Sequence, residues 1–316
     1  MKIALLVLYN HRYDQNIPRI ERLYEGKFSH IFHIMPFYDG NVSNVIPVYE
    51  SSYHFQSYIA QAYQQIKKME FTHYFIVADD MILNPNINEN NLFDLVGLAE
   101  DECYITDIRE VYDYHSLRHA FKKYKIKQKG VEVDKILPSE AEAIELFNEH
   151  GLKTKPLSFR YMLQISIYMF RAKRLRAFLG SIKDILTGNN KIGYPLVWGY
   201  SDILVLTSNM MEKFVTYCGA FAATNLFVEY AIPTAMIFST NKIKTSTQIK
   251  MHGVTQIYPK SKFNELSVAR KNVDYIPLCG VLEEFVEKYQ YNLSKLLDGF
   301  PDNTFFVHPI KLSQWK

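Results

Sequence analysis

The sequence predicts an α/β fold in which a mixed, mainly parallel sheet is flanked by helices. In the N-terminal third, short apolar runs alternate with segments of helical periodicity, as in parallel strands joined by crossover helices. The chain has 316 residues, of which 48% are hydrophobic and 15% aromatic, enough to bury a sizeable core. We therefore expect one large domain, or one domain that carries an insertion.

The first predicted elements are two strands separated by a helix. The run IALLVL (residues 3–8) predicts a buried strand, and HIFHIMPF (residues 30–37) predicts a second one. Between them, IPRIERLYEG (residues 17–26) predicts a helix that begins near Pro18 and ends at Gly26.

A second helix and a third strand follow. Apolar and aromatic residues recur at helical spacing in SSYHFQSYIAQAYQQIKKM (residues 51–69), where Ser51 or Ser52 is the expected N-cap. The run HYFIVA (residues 73–78) then predicts a strand.

Two adjacent acids, Asp79 and Asp80, come directly after this third strand. Open α/β sheets bind ligands at the carboxyl ends of their strands, so a site is expected here. Neighbouring carboxylates repel each other and are costly to desolvate unless a cation or strong donors compensate. Their hard oxygens suit Mg²⁺ or Mn²⁺ bound together with a diphosphate. The alternative is that both acids form local hydrogen bonds in the turn before Asn84.

Residues 107–190 differ from the segments before them. They combine helical stretches with many charges and predict a helical insertion. Within them, KKYKIKQK (residues 122–129) predicts a solvated loop, with a lid over an anionic ligand as the alternative.

After residue 190, sequence patterns typical of strands and helices resume. GYPLVWGYSDILVLTS (residues 193–208) predicts an aromatic loop and an acid before an apolar strand, and residues 209–221 predict a helix. Glu229 has an apolar surround, which raises the pKa of an unpaired acid. It is either a buried acid with a partner or a catalytic group. The tail (residues 302–316) contains a short run typical of a strand.

Charge and cysteine content exclude several classes of protein. The net charge is +3 and most Lys and Arg residues are scattered, so no nucleic-acid partner is expected. Cys103, Cys218 and Cys279 lack the spacing of a zinc site or disulfide framework, and we expect buried, reduced thiols. The chain also lacks a glycine-rich phosphate loop and a nucleophile elbow. This favours a reaction that depends on positioning and charge stabilisation.

No segment predicts secretion or membrane insertion. The apolar run at residues 3–8 is too short for a signal peptide, and no run reaches the ~20 apolar residues of a membrane span. We expect a cytoplasmic location, with peripheral membrane contact left open.

The segment VADDMIL (residues 77–83) resembles the Asp-x-Asp signature of nucleotide-sugar glycosyltransferases of the GT-A fold. In the preferred alignment, Ala78 stands for the first of three acids, and Asp79 and Asp80 for the second and third. The other register places Met81 at the metal-binding position. The resemblance implies that Asp80, with Asp79, holds a divalent cation and the diphosphate of a nucleotide-sugar.

The N-terminal segment LVLYNHRYDQNIPRIERLYEGKF (residues 6–28) is similar to the first strand and helix of such enzymes. The similarity implies that Tyr9, Asn10 and Arg12 line the nucleotide pocket, where Arg12 would offer a planar donor fork. An ordinary polar turn is the alternative.

The loop VWGYSD resembles the Trp-Gly-aromatic-x-x-Asp loop of galactosyltransferase-like GT-A enzymes, with one residue fewer before the acid. The resemblance implies that Trp198 or Tyr200 stacks on an acceptor sugar. Asp202 would bind the acceptor hydroxyl or remove its proton. A turn with a capping acid is the alternative.

The tail VHPIKLSQW resembles the His-x-x-Gly-x-x-Lys-x-Trp ending of glycogenin-like and lipopolysaccharide galactosyltransferases, with shorter spacing and without the glycine. It implies that His308 completes the coordination of the metal and that Lys311 contacts the diphosphate. A surface histidine without a functional role is the alternative.

These resemblances imply a single GT-A-like catalytic domain over residues 1–316. It would comprise a nucleotide-binding half (1–106), a helical insertion (107–190) and an acceptor-side half with the tail (191–316). We expect it to move a sugar from a nucleotide-diphosphate donor to a saccharide or lipid-linked acceptor in cell-surface polysaccharide synthesis, with Mn²⁺ or Mg²⁺ as cofactor and Glu229 as catalytic support. The alternatives are a metal-dependent nucleotidyltransferase or phosphoesterase, and a non-catalytic relative that binds a nucleotide-sugar.

Overall fold

A computed structural model describes residues 1–111, 124–128, 130–153, 159–171, 173, 175–188, 193–269 and 279–316. The chain divides into two compact units. Unit 1 contains Met1–Asp107, Tyr200–Glu212 and Lys242–Lys316, and unit 2 contains Ile108–Gly199 and Lys213–Asn241. The single domain stays a prediction. Unit 2 begins at Ile108, next to the predicted start of the insertion at residue 107. It also contains Lys213–Asn241, which lies beyond the predicted end of the insertion at residue 190.

The strands, in chain order, are β1 (Ile3–Leu8), β2 (Ile31–Pro36), β3 (Val45–Val48), β4 (His73–Ala78), β5 (Ile82–Leu83), β6 (Cys103–Ile105), β7 (Arg109–Glu110), β8 (Val197–Trp198), β9 (Ile203–Thr207), β10 (Ile243–Lys244), β11 (His252–Val254), β12 (Gln256–Tyr258), β13 (Cys279–Val281) and β14 (Thr304–Val307). The helices are α1 (Ile17–Tyr24), α2 (Phe55–Ile66), α3 (Leu92–Val96), α4 (Glu140–Glu149), α5 (Phe159–Arg171), α6 (Leu175–Leu186), α7 (Ser208–Ala223), α8 (Val228–Ser239), α9 (Lys260–Ala269), α10 (Leu282–Tyr289) and α11 (Leu293–Asp298).

The central sheet of unit 1 has seven strands in the order β10-β6-β9-β4-β1-β2-β3. Neighbouring strands are parallel except for β9, which is antiparallel to both β4 and β6. The predicted α/β class with a mainly parallel sheet is therefore confirmed. Strands β2 and β3 lie on one side of β1 in the sheet, and β4 lies on its other side. Because the connections that leave β1 and β4 diverge at this point, a crevice is expected at the carboxyl ends of these two strands.

The three predicted N-terminal strands are confirmed: β1 and β4 are buried along their whole length, and the last four residues of β2 are buried. Helix α1 begins with a proline in its first turn, and Gly26 beyond its end has φ +69°, which favours glycine. The expected cap of α2 is wrong: Ser51 precedes a short 3₁₀ turn (Ser52–His54) and makes no capping hydrogen bond. The short strand β3 was not predicted.

A small second sheet brings the C-terminal tail to the turn after β4. Its order is β11-β14-β5, with β14 parallel to β11 and antiparallel to β5. Phe305 and Phe306 of β14 are fully buried, and the Phe305 ring stacks on Phe75 of β4 at 6.0 Å between centroids. Burial of two large aromatic rings anchors this sheet to the core. The predicted strand in the tail is confirmed.

Unit 2 is mainly helical in its described residues, as expected for the segment after residue 107. Helix α4 begins with a capping box, in which Ser139 and Glu142 exchange hydrogen bonds with each other's backbone N–H groups. The solvated-loop prediction for residues 122–129 is wrong at Tyr124, which is buried and hydrogen-bonded to Thr224. Residues 122, 123 and 129 lie outside the described residues. Nowhere in the described part of the chain is a helix both long and apolar enough to cross a membrane.

Candidate functional site

Strand topology brings three acids of unit 1 to one edge of the sheet. Asp79 and Asp80 follow β4, whereas Asp202 precedes β9. Because β9 runs antiparallel to β4, its first residues lie beside the last residues of β4. The backbone N–H of Ala78 accordingly donates to the carbonyl of Asp202 at 3.0 Å, and that of Asp79 donates to the carbonyl of Leu8 in β1 at 2.9 Å. The acids therefore converge at the crevice between β1 and β4.

Asp79 is a buried carboxyl with weak hydrogen-bonding compensation. Its side chain accepts from the backbone N–H of Asn10 at 3.5 Å and from the side-chain amide of Asn16 at 3.4 Å. Both distances exceed the usual range for strong hydrogen bonds. Burial and the negative charge of Asp80 raise the pKa of Asp79 to about 7. A cation placed here would favour the ionised form of this carboxyl.

His308 connects the other two acids. Its Nε2 lies 3.1 Å from Oδ1 of Asp80 and 3.9 Å from Oδ2 of Asp202. Its Nδ1 lies 2.9 Å from the carbonyl oxygen of Thr255 and 2.8 Å from the hydroxyl of Tyr200. Since a carbonyl can only accept a hydrogen bond, we assign a proton to Nδ1. In the neutral ring this assignment leaves the lone pair of Nε2 facing the acids.

The charge of His308 is set by its neighbours. Burial lowers the pKa of His308, but the contact with Asp80, the charge of Asp202 and the carbonyl of Thr255 together raise it to about 9. The pKa of Asp202 is raised by burial and by Asp80 and lowered by His308, with a net increase. Without a cation, the protonated imidazole therefore compensates the acids at neutral pH.

The donor set fits a divalent cation that is shared with phosphate oxygens. Oδ1 of Asp80 is buried, and its contact with a described residue is the ion pair with Nε2 of His308 at 3.1 Å, which leaves room for a further electropositive partner. The Nδ1–H to carbonyl contact of His308 is the arrangement that orients histidine ligands of metals. Among the described residues, no group of three or more His, Cys, Asp or Glu side chains is arranged to enclose a metal. Mg²⁺ usually takes only one or two protein carboxylates and completes its shell with water and phosphate.

Tyr200 does not lie where the acceptor prediction requires. Its side chain is 3% exposed, and its ring stacks on Phe306 with an interplanar angle of 3°. Its hydroxyl contacts His308. The prediction that Tyr200 stacks on an acceptor sugar is therefore wrong, and the residue instead holds the imidazole in place.

The predicted nucleotide-pocket residues have different positions. Tyr9 is fully buried, and its hydroxyl lies 2.8 Å from Nδ1 of His33, so its side chain does not line the crevice. Asn10 is exposed beside Asp79. The guanidinium of Arg12 binds both carboxylate oxygens of Asp14 at 2.9 Å, so its donor fork is already engaged.

Lys311 is exposed at the end of the tail. It follows Ile310, whose backbone N–H donates to the carbonyl of Asp80 at 2.6 Å. Trp315 of the same motif is 3% exposed and packs in the core. The motif thus places His308 and the backbone before Lys311 at the acidic edge.

Trp198 and Glu229 belong to unit 2 and bind each other. The indole Nε1–H of Trp198 donates to Oε2 of Glu229 at 3.1 Å, and the guanidinium of Arg109 lies 5.5 Å from the centre of the indole ring. The backbone N–H of Gly199 donates to the carbonyl of Glu229 at 2.9 Å. Glu229 is therefore a half-buried acid with a partner in the first turn of α8; the partner agrees with the alternative prediction for this residue, but the full burial does not.

Several residues near the edge were not predicted as functional. Asn16 hydrogen-bonds Asp79, and Thr255 hydrogen-bonds His308. Asn16 lies in the N-terminal segment of residues 6–28 but was not singled out there, and Thr255 belongs to none of the motifs. Phe37 and Tyr49 follow β2 and β3, are 62% and 68% exposed, and form a ring pair at 6.1 Å. Phe37 also has a left-handed backbone (φ 51°), which is uncommon for a bulky residue. No signal in the sequence marked this pair, because Phe37 was included in the second predicted strand and β3 was not predicted.

Comparison of the chain with protein-family models gave no match, and neither did comparison with the curated proteins.

Proposed function

We propose that this protein is a GT-A-like glycosyltransferase that moves a sugar from a nucleotide-diphosphate donor to a saccharide or lipid-linked acceptor. The observation that carries the proposal is the convergence of Asp79, Asp80, Asp202 and His308 at the carboxyl edge of the sheet. This edge adjoins the crevice where open α/β sheets bind nucleotides and other ligands.

Asp80 would hold Mn²⁺ or Mg²⁺, with Asp79 or His308 as a second protein ligand and with water and phosphate oxygens completing the shell. When bound, the cation would neutralise the negative charge of the departing nucleoside diphosphate. Asn10 and Asn16 orient Asp79 through their hydrogen bonds. The exposed ammonium of Lys311 is close in the chain to this site and suits a phosphate group.

Asp202 is the residue proposed to receive the acceptor. Its side chain keeps 27% exposure while burial raises its pKa, so it combines access with increased basicity. A carboxylate of this kind accepts a hydrogen bond from an acceptor hydroxyl and, in an inverting transfer, its proton. Phe37 and Tyr49 offer exposed ring faces for a base or sugar.

A metal-dependent nucleotidyltransferase or phosphoesterase is the second candidate. This class predicts a third acid near the metal pair, and Asp202 lies at the same edge, 3.9 Å from the imidazole that contacts Asp80. The products distinguish the two: sugar transfer releases nucleoside diphosphate, whereas nucleotidyl transfer releases pyrophosphate. A non-catalytic relative would bind the nucleotide-sugar and release neither.

A thermal-shift panel tests the proposal. Nucleoside diphosphates and nucleotide-sugars are added with Mn²⁺ or with EDTA to the wild-type protein, to Asp80→Ala and to the exposed control Asp101→Ala. Saturation at about a hundred times Kd stabilises by about 2.7 kcal/mol, which is a shift of several degrees. We expect this shift only with Mn²⁺ and only when Asp80 is present. Absence of any metal-dependent shift in the wild-type protein would contradict the proposed donor site.

A further inference from the structure

Two helices of unit 2 form a hairpin with a polar contact at its centre. The hydroxyl of Ser166 in α5 donates to that of Ser181 in α6 at 2.8 Å, and both residues are buried. The rings of Phe170 and Phe178 lie 5.2 Å apart between the same helices. This contact defines the inner face of the hairpin, with Met162 also buried.

Large apolar side chains also occupy the outer faces of both helices. On each helix they recur mainly at intervals of four or seven residues, which places them on one side. All are at least 43% exposed: Phe159, Leu163 and Ile167 on α5, and Leu175, Leu179 and Leu186 on α6. A surface helix normally directs its apolar residues inward, and contiguous exposed apolar surface of this kind marks an interaction site.

Basic residues accompany this apolar surface. The exposed cations of the hairpin are Arg160, Arg171, Lys173, Arg176 and Lys183. The single acidic residue between positions 159 and 188 of the sequence is Asp184. The surface therefore combines apolar contact area with a strong excess of positive charge.

We propose that the hairpin of α5 and α6 docks unit 2 onto an anionic lipid surface, an inference that does not rest on the proposed catalytic function. Amphipathic helices with bulky apolar residues and Lys or Arg neighbours insert into the headgroup region, where the cations meet anionic lipids. The two helices have 13 and 12 residues, too short to span a bilayer but suited to lie in its interface. A second copy of the chain would place like charges face to face, which disfavours self-association through this surface.

Vesicle flotation with the full chain tests the proposal. Vesicles of phosphatidylcholine, with or without phosphatidylglycerol, are used with the wild type, Leu163→Gln, Leu179→Gln and the control Leu95→Gln, an exposed leucine of unit 1. We expect the wild type and the control to float with anionic vesicles, and each hairpin variant to bind roughly tenfold more weakly. The double variant Arg171→Gln/Lys173→Gln should lose the preference for anionic lipid. Equal binding of all variants, or no flotation of the wild type, would overturn the proposal.

Two further measurements keep the test independent of folding. Circular dichroism should show unchanged helix content in the variants, because the replaced side chains are exposed. Leu186→Trp should show a blue-shifted emission upon addition of anionic vesicles, as the indole leaves water. An unshifted emission would overturn the proposal. So would concentration-dependent dimers that the Leu163→Gln substitution abolishes, since the occupant would then be a second copy.

Discussion

Asp80→Asn in the cation-free protein probes the candidate site most specifically. Asp80 lies 3.1 Å from Nε2 of His308 and, with Asp202 and the carbonyl of Thr255, favours the protonated form of the buried imidazole. The substitution keeps the shape of the side chain and removes its charge. We expect it to destabilise the protein at low pH and not at high pH.

The magnitude follows from the pKa of His308. Burial lowers this pKa, but Asp80 and the other acceptors raise it from 6.5 to about 9. A raised pKa in the folded state stabilises the protein below the unfolded pKa, and the contribution is lost as the pH rises through the folded pKa. The difference is equivalent to roughly 3 kcal/mol. This stabilisation is therefore complete near pH 6 and absent above about pH 9 to 10.

Asp79 contributes with the opposite sign. Burial and the charge of Asp80 raise the pKa of Asp79 to about 7, so repulsion between the two carboxylates grows as the pH rises through neutrality. Asp80→Asn removes that repulsion. The variant should therefore lose up to roughly 3 kcal/mol near pH 6 and be neutral or slightly stabilised near pH 9.5.

Urea denaturation in EDTA, followed by circular dichroism near these two pH values, measures the difference. The control Asp101→Asn removes an exposed acid that pairs with Lys242, and we expect it to leave the pH dependence unchanged. Equal destabilisation by Asp80→Asn at both pH values would refute the proposed charge state of His308.

Three further substitutions should change the stability of the protein around the site and elsewhere. Burial lowers the pKa of His33, so the folded state favours the neutral imidazole and the stability of the protein falls as the pH drops below 6.5. His33→Gln should reduce this loss of stability, measured as the urea midpoint at several pH values. An unchanged dependence of the midpoint on pH would contradict the prediction. Gly253→Ala would place a Cβ against the ring of Phe306, which stacks on Tyr200, and should cost about 1–3 kcal/mol. Gly219 lies inside α7 with open space around it, so Gly219→Ala should instead stabilise the protein by about 0.5–1 kcal/mol. Thermal unfolding measures both glycine variants. A raised melting temperature of Gly253→Ala, or a lowered one of Gly219→Ala, would contradict the packing at that glycine.

The strands were predictable because burial on both faces requires an unbroken apolar run. The run at residues 73–78 therefore located the two acids at a strand end without any knowledge of the fold. The short strand β3 escaped because VIPV contains a proline, which is rare inside sheets; here it lies in the edge strand, where its missing N–H is tolerated.

The site itself depends on pairings that are distant in sequence. Asp202 reaches Asp80 only because β9 is antiparallel to β4, and no local pattern specifies strand direction. Thr255 reaches His308 only through the sheet of β11 and β14. Tyr200 and Trp198 are two residues apart in one motif, yet they belong to different units. The sequence therefore singled out most of the groups that lie at the candidate site but not the partner of each group.

In the proposed reaction, Asp80 holds a divalent cation together with a nucleoside diphosphate. Electron paramagnetic resonance of free Mn²⁺ tests it directly, because the signal of the aqueous ion falls upon binding. We expect the protein to take up Mn²⁺ tightly only when a nucleoside diphosphate is present, and Asp80→Asn to weaken this uptake by at least about tenfold. Uptake by Asp80→Asn equal to that of the wild type, or no uptake by the wild type with any nucleoside diphosphate, would contradict the claim.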